Sequence, residues 1–487
     1  MSGRSRPSDM TPTLRTTRRL VAVALALLLA ACGPAPIDAD TDVGHGVLLV
    51  VVDGLRADHL GCYGHDRDTS PYLDALAERG VLFESAFAAA PRAEASLAAL
   101  VSGCDPNLAR RRLPGVAGLE STHTFALSEV LPSAAVEFAV EGYRTAAFVD
   151  GEAFDGVRGI ARGFHEVRRV DDPAERRERG PLEDAIDWVR ARDLDEPWFA
   201  CVQLSDLMRA FVEPHPEWDS FFEPRTELWW IPPVGANAVN FHAVPPERWA
   251  GGTLPLSHYD ARYDGAIRKL DSELKRLFDL LESAGRFKRT TVCVTGTHGL
   301  QFGEAGMLLD HGLLSPADVH VPLVVRPAQR LEHPFEAGAR RRGAASGVDL
   351  APTLLDLAGI AVPPSMHGRS LAPRLGRADT EEDLARTVMV SCGLVTGTAA
   401  YTHELVVEHL VPGVDLAPQL REQWLGRDAL GGLEVRCYPW RDPDAKPLAS
   451  VGVPAEHAVE AARLTAAQDA WFQTFVIDEY ERVWGTP

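Results

Sequence analysis

Val47 to Val52 (VLLVVV) is a short, unbroken, β-branched run, the pattern of a strand buried on both faces of a parallel sheet. It ends in Asp53-Gly54. Ser70 to Arg79 reads as a helix, with Ser70 as N-cap, Pro71 at the first position, and Leu73, Leu76 and Ala77 on one face. Thr145 to Val149 and Phe199 to Leu204 predict further strands. So does Thr290 to Thr295 (TTVCVT), which ends in Gly296-Thr297-His298-Gly299. Between the last two, Arg262 to Gly285 predicts a long amphipathic helix with Ile267, Leu270, Leu274, Leu277 and Leu281 at helical spacing. Alternating strands and helices predict an α/β fold whose parallel sheet is covered on both faces. Ligands of such sheets gather at the carboxyl ends of the strands. Asp53 and His298 both stand there, so they belong to one candidate site.

Glu213 to Trp249 breaks this rhythm. It carries Trp218, Phe221, Phe222, Trp229, Trp230 and several prolines without a clean period. It reads as an ordered excursion packed over the domain, or as a substrate-facing wall. Past about residue 385 the pattern changes to short strand-like stretches (Val388 to Val390, Glu404 to Val407) and a closing helix around Val459 to Trp484. That is the pattern of a smaller α+β subdomain over 386–487.

The N-terminus changes the picture of compartment. Leu20 to Ala31 is twelve apolar residues, short of the roughly 20 that cross a bilayer. It follows Arg15, Arg18 and Arg19 and ends in small residues, the order of an export signal. Leu29-Ala30-Ala31-Cys32 resembles the lipobox of bacterial lipoproteins, in which the cysteine becomes the lipid-bearing N-terminus; an ordinary signal peptide is the alternative. The expected organisation is a signal over 1–31, a tether over 32–44 rich in Pro, Asp and Gly, and a main domain over 45–385. A lipid on Cys32 would hold the chain to a cell-envelope membrane.

Forty-nine Lys and Arg against 69 Asp and Glu give a net charge of −20 over 487 residues. Removing residues 1–31 takes away five Arg and one Asp and lowers it to −24. A field of that sign argues against nucleic acid as a partner. The runs Arg110-Arg111-Arg112 and Arg340-Arg341-Arg342 read as solvated loops. Six cysteines besides Cys32 are widely spaced with no CxxC, so a zinc ribbon is not supported.

The segments VLLVVVDGLRADHLGCYGHDRDTSPYLDALAERGVLFESAFA (Val47 to Ala88), EGYRTAAFV (Glu141 to Val149), VTGTHGLQFGEAG (Val294 to Gly306), VDLAPTLLDLAGI (Val348 to Ile360) and MHGRSLAPRL (Met366 to Leu375) follow one another in a familiar order. Together they resemble the sulfatase family of the alkaline phosphatase superfamily over about 44–487. The resemblance implies an alkaline-phosphatase-like α/β/α sandwich with a mostly parallel central sheet and a smaller C-terminal α+β subdomain.

It also implies a site, and this chain departs from it. Family members hold a divalent cation, usually calcium, through three aspartates and an Asn or His. The matching positions here are Asp53-Gly54 and Thr297-His298, so two of the three carboxylates are missing. A hard cation wants six or more oxygens, and Asp53 with His298 make a poor cage. The family's nucleophile, a formylglycine made from Cys or Ser, or an unmodified Thr or Ser in related phosphotransferases, falls at Ala93 in Ala93-Glu94-Ala95-Ser96-Leu97. A methyl group is no nucleophile. Ser96 lies one turn along the predicted helix and should point elsewhere. The family's basic residues fall at Gly151, Ala153, Met208, Gln203 and Ala305, and only His311 keeps one. Loss of cations aimed at a developing oxyanion removes much of such catalysis.

Each survivor has a second reading. Asp53 before Gly54 makes a turn, His298 is a satisfied core histidine, and His311 before Gly312 is loop packing. Arg92 reads as exposed, and Asp310 and Glu304 as solvated. The function expected is therefore that of an exported sulfatase-like protein without sulfuric ester hydrolysis, acting as a binding or scaffolding module for a glycan or protein. No cofactor is then expected. The alternative is an active sulfuric or phosphoric ester hydrolase with a rearranged site built on Ser96 or Thr297 with Asp53, His298 and His311, and a calcium-like divalent cation.

Overall fold

The computed structural model describes residues 46–112, 123–150, 152–155, 157–170, 179–193, 195–209, 221–225, 255–302, 308–329, 334–391, 398–401, 405–410, 434–439 and 458–471. Cys32, the segment Leu20 to Ala31, Gly151, Glu304, Ala305 and most of Glu213 to Trp249 lie outside them. No helix among the described residues is long and apolar enough to cross a membrane.

The chain runs β1 (Gly46–Val52), α1 (Pro71–Arg79), β2 (Val81–Phe83), α2 (Ala93–Ser102), β3 (Arg144–Val149), β4 (Glu166–Arg169), α3 (Pro181–Arg190) and β5 (Trp198–Leu204). It continues with α4 (Leu256–Ser283), β6 (Thr290–Gly296), β7 (Leu323–Arg326), β8 (Ala339–Arg341) and α5 (Leu350–Leu357). An eight-stranded sheet has the order β8-β2-β7-β6-β1-β5-β3-β4. All its pairings are parallel except those of β7, which runs against both β6 and β2. The fold is the expected mixed α/β architecture with a mostly parallel central sheet.

β1 lies at the centre, and its period of two feeds two cores. Val47, Leu49 and Val51 pack with Leu97 and Leu100 of α2 and Leu354 of α5. Leu48, Val50 and Val52 pack on the other face with Leu73 of α1, Ile186 of α3 and the Ile267–Leu281 stripe of α4. That is why the run is apolar without alternation: neither face meets water. A second sheet of four antiparallel strands, β9 (Val388–Ser391), β10 (Thr398–Tyr401), β11 (Leu405–Leu410) and β12 (Glu434–Pro439), precedes α6 (Ala458–Trp471).

Four local expectations need correction. The long helix starts at Leu256, six residues before the expected Arg262, because Tyr259 and Tyr263 are buried and extend its apolar face. Ser70 occupies the N-cap of α1 but does not cap it: its hydroxyl donates to Asp74 and accepts from the Gly61 amide. The cap comes from α4, where the Asp271 carboxylate accepts the Tyr72 and Leu73 amides at 3.0 and 2.8 Å. Neither arginine run is a loop. Arg110–Arg112 is a strand, and Arg341, at the edge of the main sheet, is buried with its guanidinium donating to the carbonyls of Arg374 and Leu375.

Candidate functional site

β1 and β6 run side by side, with Val52 opposite Gly296, so Asp53 and Thr297 leave the sheet together at its carboxyl edge. Thr297 Oγ1 donates to Asp53 Oδ1 at 2.6 Å. From β5, the other neighbour of β1, Gln203 Nε2 donates to Asp53 Oδ2 at 2.6 Å. All three side chains are buried. Burial pushes the Asp53 carboxyl up to about 7, against the pull of those two hydrogen bonds, with the Asp150 and Glu94 carboxylates pushing the same way. Among the described residues the Gln203 Oε1 atom has no hydrogen-bond partner.

Gly54 follows with a left-handed φ of +74°, and a Cβ built on it would stand 2.8 Å from the Met208 Sδ. The Met208 thioether thus fills the direction in which a side chain at 54 would project. The Gly54 carbonyl accepts from the Tyr263 hydroxyl, which in turn accepts the Arg56 amide.

His298 and His311 come together as a stacked pair with ring centroids 3.9 Å apart. His298 Nδ1 donates to the Gly299 carbonyl at 2.6 Å, and His311 Nδ1 to the Pro91 carbonyl at 3.0 Å. Burial lowers the pKa of both rings, and nearby Arg92 adds to the effect. Both rings are therefore held towards their neutral form. Asp310, expected in solvent, is buried and accepts the His311 amide on Oδ1 at 2.7 Å. Arg92 is half-buried rather than exposed.

Pro91 leads into α2, whose first residue is Ala93. Ala93, where the resemblance puts the nucleophile, thus follows closely on the Pro91 carbonyl that His311 binds, and it carries a buried methyl group. Ser96 is buried one turn on. Its hydroxyl donates to the Ala90 carbonyl at 2.6 Å and receives the Ala90 amide, which ties it to the backbone.

The model of the family described as Sulfatase matches residues 45–360. The chain belongs to the sulfatase family. Among its relatives, the Delta 4,5-hexuronate-2-O-sulfatase of Bacteroides thetaiotaomicron is 24% identical over 380 residues, spanning 71% of this chain and 74% of the relative. An arylsulfatase of Clostridium perfringens is 23% identical over 398 residues, 67% of this chain and 77% of the relative. The fold is also that of the phosphonate monoester hydrolase of Agrobacterium radiobacter, with a TM-score of 0.65 at 19% identity, covering 88% of this chain and 96% of that one.

Sulfatase family members are metal-dependent, and the donors at this position can be set against what a cation needs. Both Asp53 oxygens are taken by uncharged donors, the Thr297 hydroxyl proton faces Asp53, and Met208 fills the side of Gly54 where a second carboxylate would sit. A calcium ion draws most of its binding energy from negative oxygens, and one carboxylate is left. The residues at this position do not fit the family's cation. Sequence reasoning finds the losses at Thr297, Gln203 and Met208 but misses what replaces the ligands. Thr297 and Gln203 are uncharged donors of the length that satisfies a buried carboxyl, and that chemistry is the readable signal.

Proposed function

We propose that this chain is an exported, lipid-anchored member of the sulfatase family that does not hydrolyse esters and serves as a binding or scaffolding protein. The observation that supports this reading most is at the start of α2. Ala93 offers no nucleophile, and the first hydroxyl along α2, Ser96, is bound to the Ala90 backbone. The closure of the Asp53 carboxyl by Thr297 and Gln203 supports it from the other side of the site. Names of relatives that act on sugars, such as the hexuronate sulfatase above, make sulfated glycans the first ligands to screen.

The test is a turnover assay of the chain with aryl sulfate, aryl phosphate and aryl phosphonate monoesters, with and without millimolar Ca²⁺. The expected result is no release above a heat-denatured control. Turnover that disappears in Ser96→Ala or Thr297→Ala would establish the rearranged-site hydrolase instead. For the anchor, labelled palmitate should enter the wild-type chain in a bacterial host and be absent from Cys32→Ala.

A further inference from the structure

A second cluster of ligating side chains lies against Tyr263, whose ring meets that of His59 nearly at right angles with centroids 4.9 Å apart. His59 closes a short 3₁₀ turn (Ala57–His59), His65 follows in the loop after it, and Asp264 projects from α4 next to Tyr263. His59 Nδ1 stands 2.7 Å from Asp264 Oδ1, and His65 Nε2 stands 3.0 Å from Asp264 Oδ2. The ligating atoms of the three residues all lie within 4.8 Å of one another, the one such group among the described residues. The two imidazoles stack with centroids 4.9 Å apart, so both rings present a nitrogen to the same carboxylate.

We propose that His59, His65 and Asp264 form a site for a borderline divalent cation of the zinc class, distinct from the position the family uses. It stands independently of the proposed loss of hydrolysis.

Two imidazole nitrogens and a carboxylate oxygen are the donor types that such ions select, and calcium does not. With metal–ligand distances of about 2.0–2.1 Å, neighbouring ligands of a tetrahedral site stand about 3.3 Å apart. The 2.7 Å between His59 Nδ1 and Asp264 Oδ1 needs to open by only a few tenths of an ångström, and the His65 ligating atom lies within 4.8 Å of the other two. The imidazoles bind as neutral ligands, so the proton each directs at Asp264 moves to its other ring nitrogen. Arg67 does not occupy the whole carboxylate. Its Nη1 takes Oδ2 at 2.7 Å and is shared with Asp260 at 3.0 Å, which leaves Oδ1 to a cation and keeps the carboxylate oriented. Asp260 also offsets the arginine charge. The fourth position would fall to water.

Equilibrium dialysis of the full chain against Zn²⁺ should find one tight equivalent, and the Co²⁺-loaded chain should show the visible absorption of a four-coordinate N/O site. His65→Gln keeps a donor towards Asp264 and should weaken that equivalent by about tenfold or more, while Asp53→Asn leaves it unchanged. His59→Gln is the second variant if His65→Gln melts early. Absence of stoichiometric zinc, or zinc retained equally by His65→Gln and His59→Gln, overturns the site and leaves the cluster as a hydrogen-bonded brace.

Discussion

Gly54 and Met208 act as a unit. Gly54 holds a φ of +74°, and its missing Cβ leaves the space that Met208 Sδ uses. Gly54→Ala should destabilise the chain by about 2–4 kcal/mol, the sum of a left-handed residue and an overpacked contact. Met208→Ala in the same chain should return the packing part only. A double-mutant cycle in urea checks this: additive losses would mean the two side chains do not meet. Asp318 supports a second residue-scale expectation. It is buried beneath the loop that carries His298, accepting from the Gln301 amide and the Ser315 hydroxyl while its carbonyl takes the Gly299 amide. Burial raises its carboxyl to about 8. The folded chain then keeps a proton that the unfolded chain loses near the ordinary value of 3.8. Stability contributed this way is full below that value and falls as pH rises towards about 8. Asp318→Asn should flatten the decline of the urea midpoint between pH 5 and 8; an unchanged slope counts against it. Asp53, raised in the same direction, should leave a residual slope.

Elements were legible where one periodicity governs them. β1, β5 and β6 are buried on both faces, and five or six apolar or β-branched positions in a row announce this. The α4 stripe announces a helix in the same way. What failed were features set by partners distant in sequence. The cap of α1 comes from Asp271, some 200 positions away, whereas Ser70 has the composition of a cap and turns its hydroxyl elsewhere. Likewise Arg341 reads as surface because a guanidinium is charged, but three carbonyl and carboxylate acceptors bury it. Asp271→Ala leaves two first-turn amides of α1 without an acceptor, and it should cost about 1–2 kcal/mol. Ser70→Ala should cost α1 less, since its hydroxyl caps nothing there. Thermal melts of both variants test the assignment, and a larger loss for Ser70→Ala would reverse it.

At the scale of the molecule, the family's frame survives while its cation position is closed. Thr297, just past β6, and Gln203 of β5 each give Asp53 an uncharged hydrogen bond, and Met208 packs over Gly54. The chain should therefore fold without calcium. Millimolar Ca²⁺ should leave its melting temperature unchanged, whereas one bound ion at a hundred times its dissociation constant would add about 2.7 kcal/mol. A calcium-dependent rise abolished by Asp53→Asn would show that the donors reorganise. The location of this position was readable from Asp53 and His298 at two strand ends. Its closure was not, because it depends on which way Met208 and the Gln203 amide point.

The Met208 thioether over Gly54 also makes a second carboxylate hard to introduce at this site. A single change of Gly54 to aspartate meets the sulfur before it meets any ion, so on its own it lowers stability and gains nothing. Replacing Met208 first opens a void with no ligand to use it. Either order passes through a weaker protein, and Thr297 and Ala93 would still have to change afterwards. The packing works as a ratchet: selection for a stable chain alone is enough to disfavour a second carboxylate at position 54.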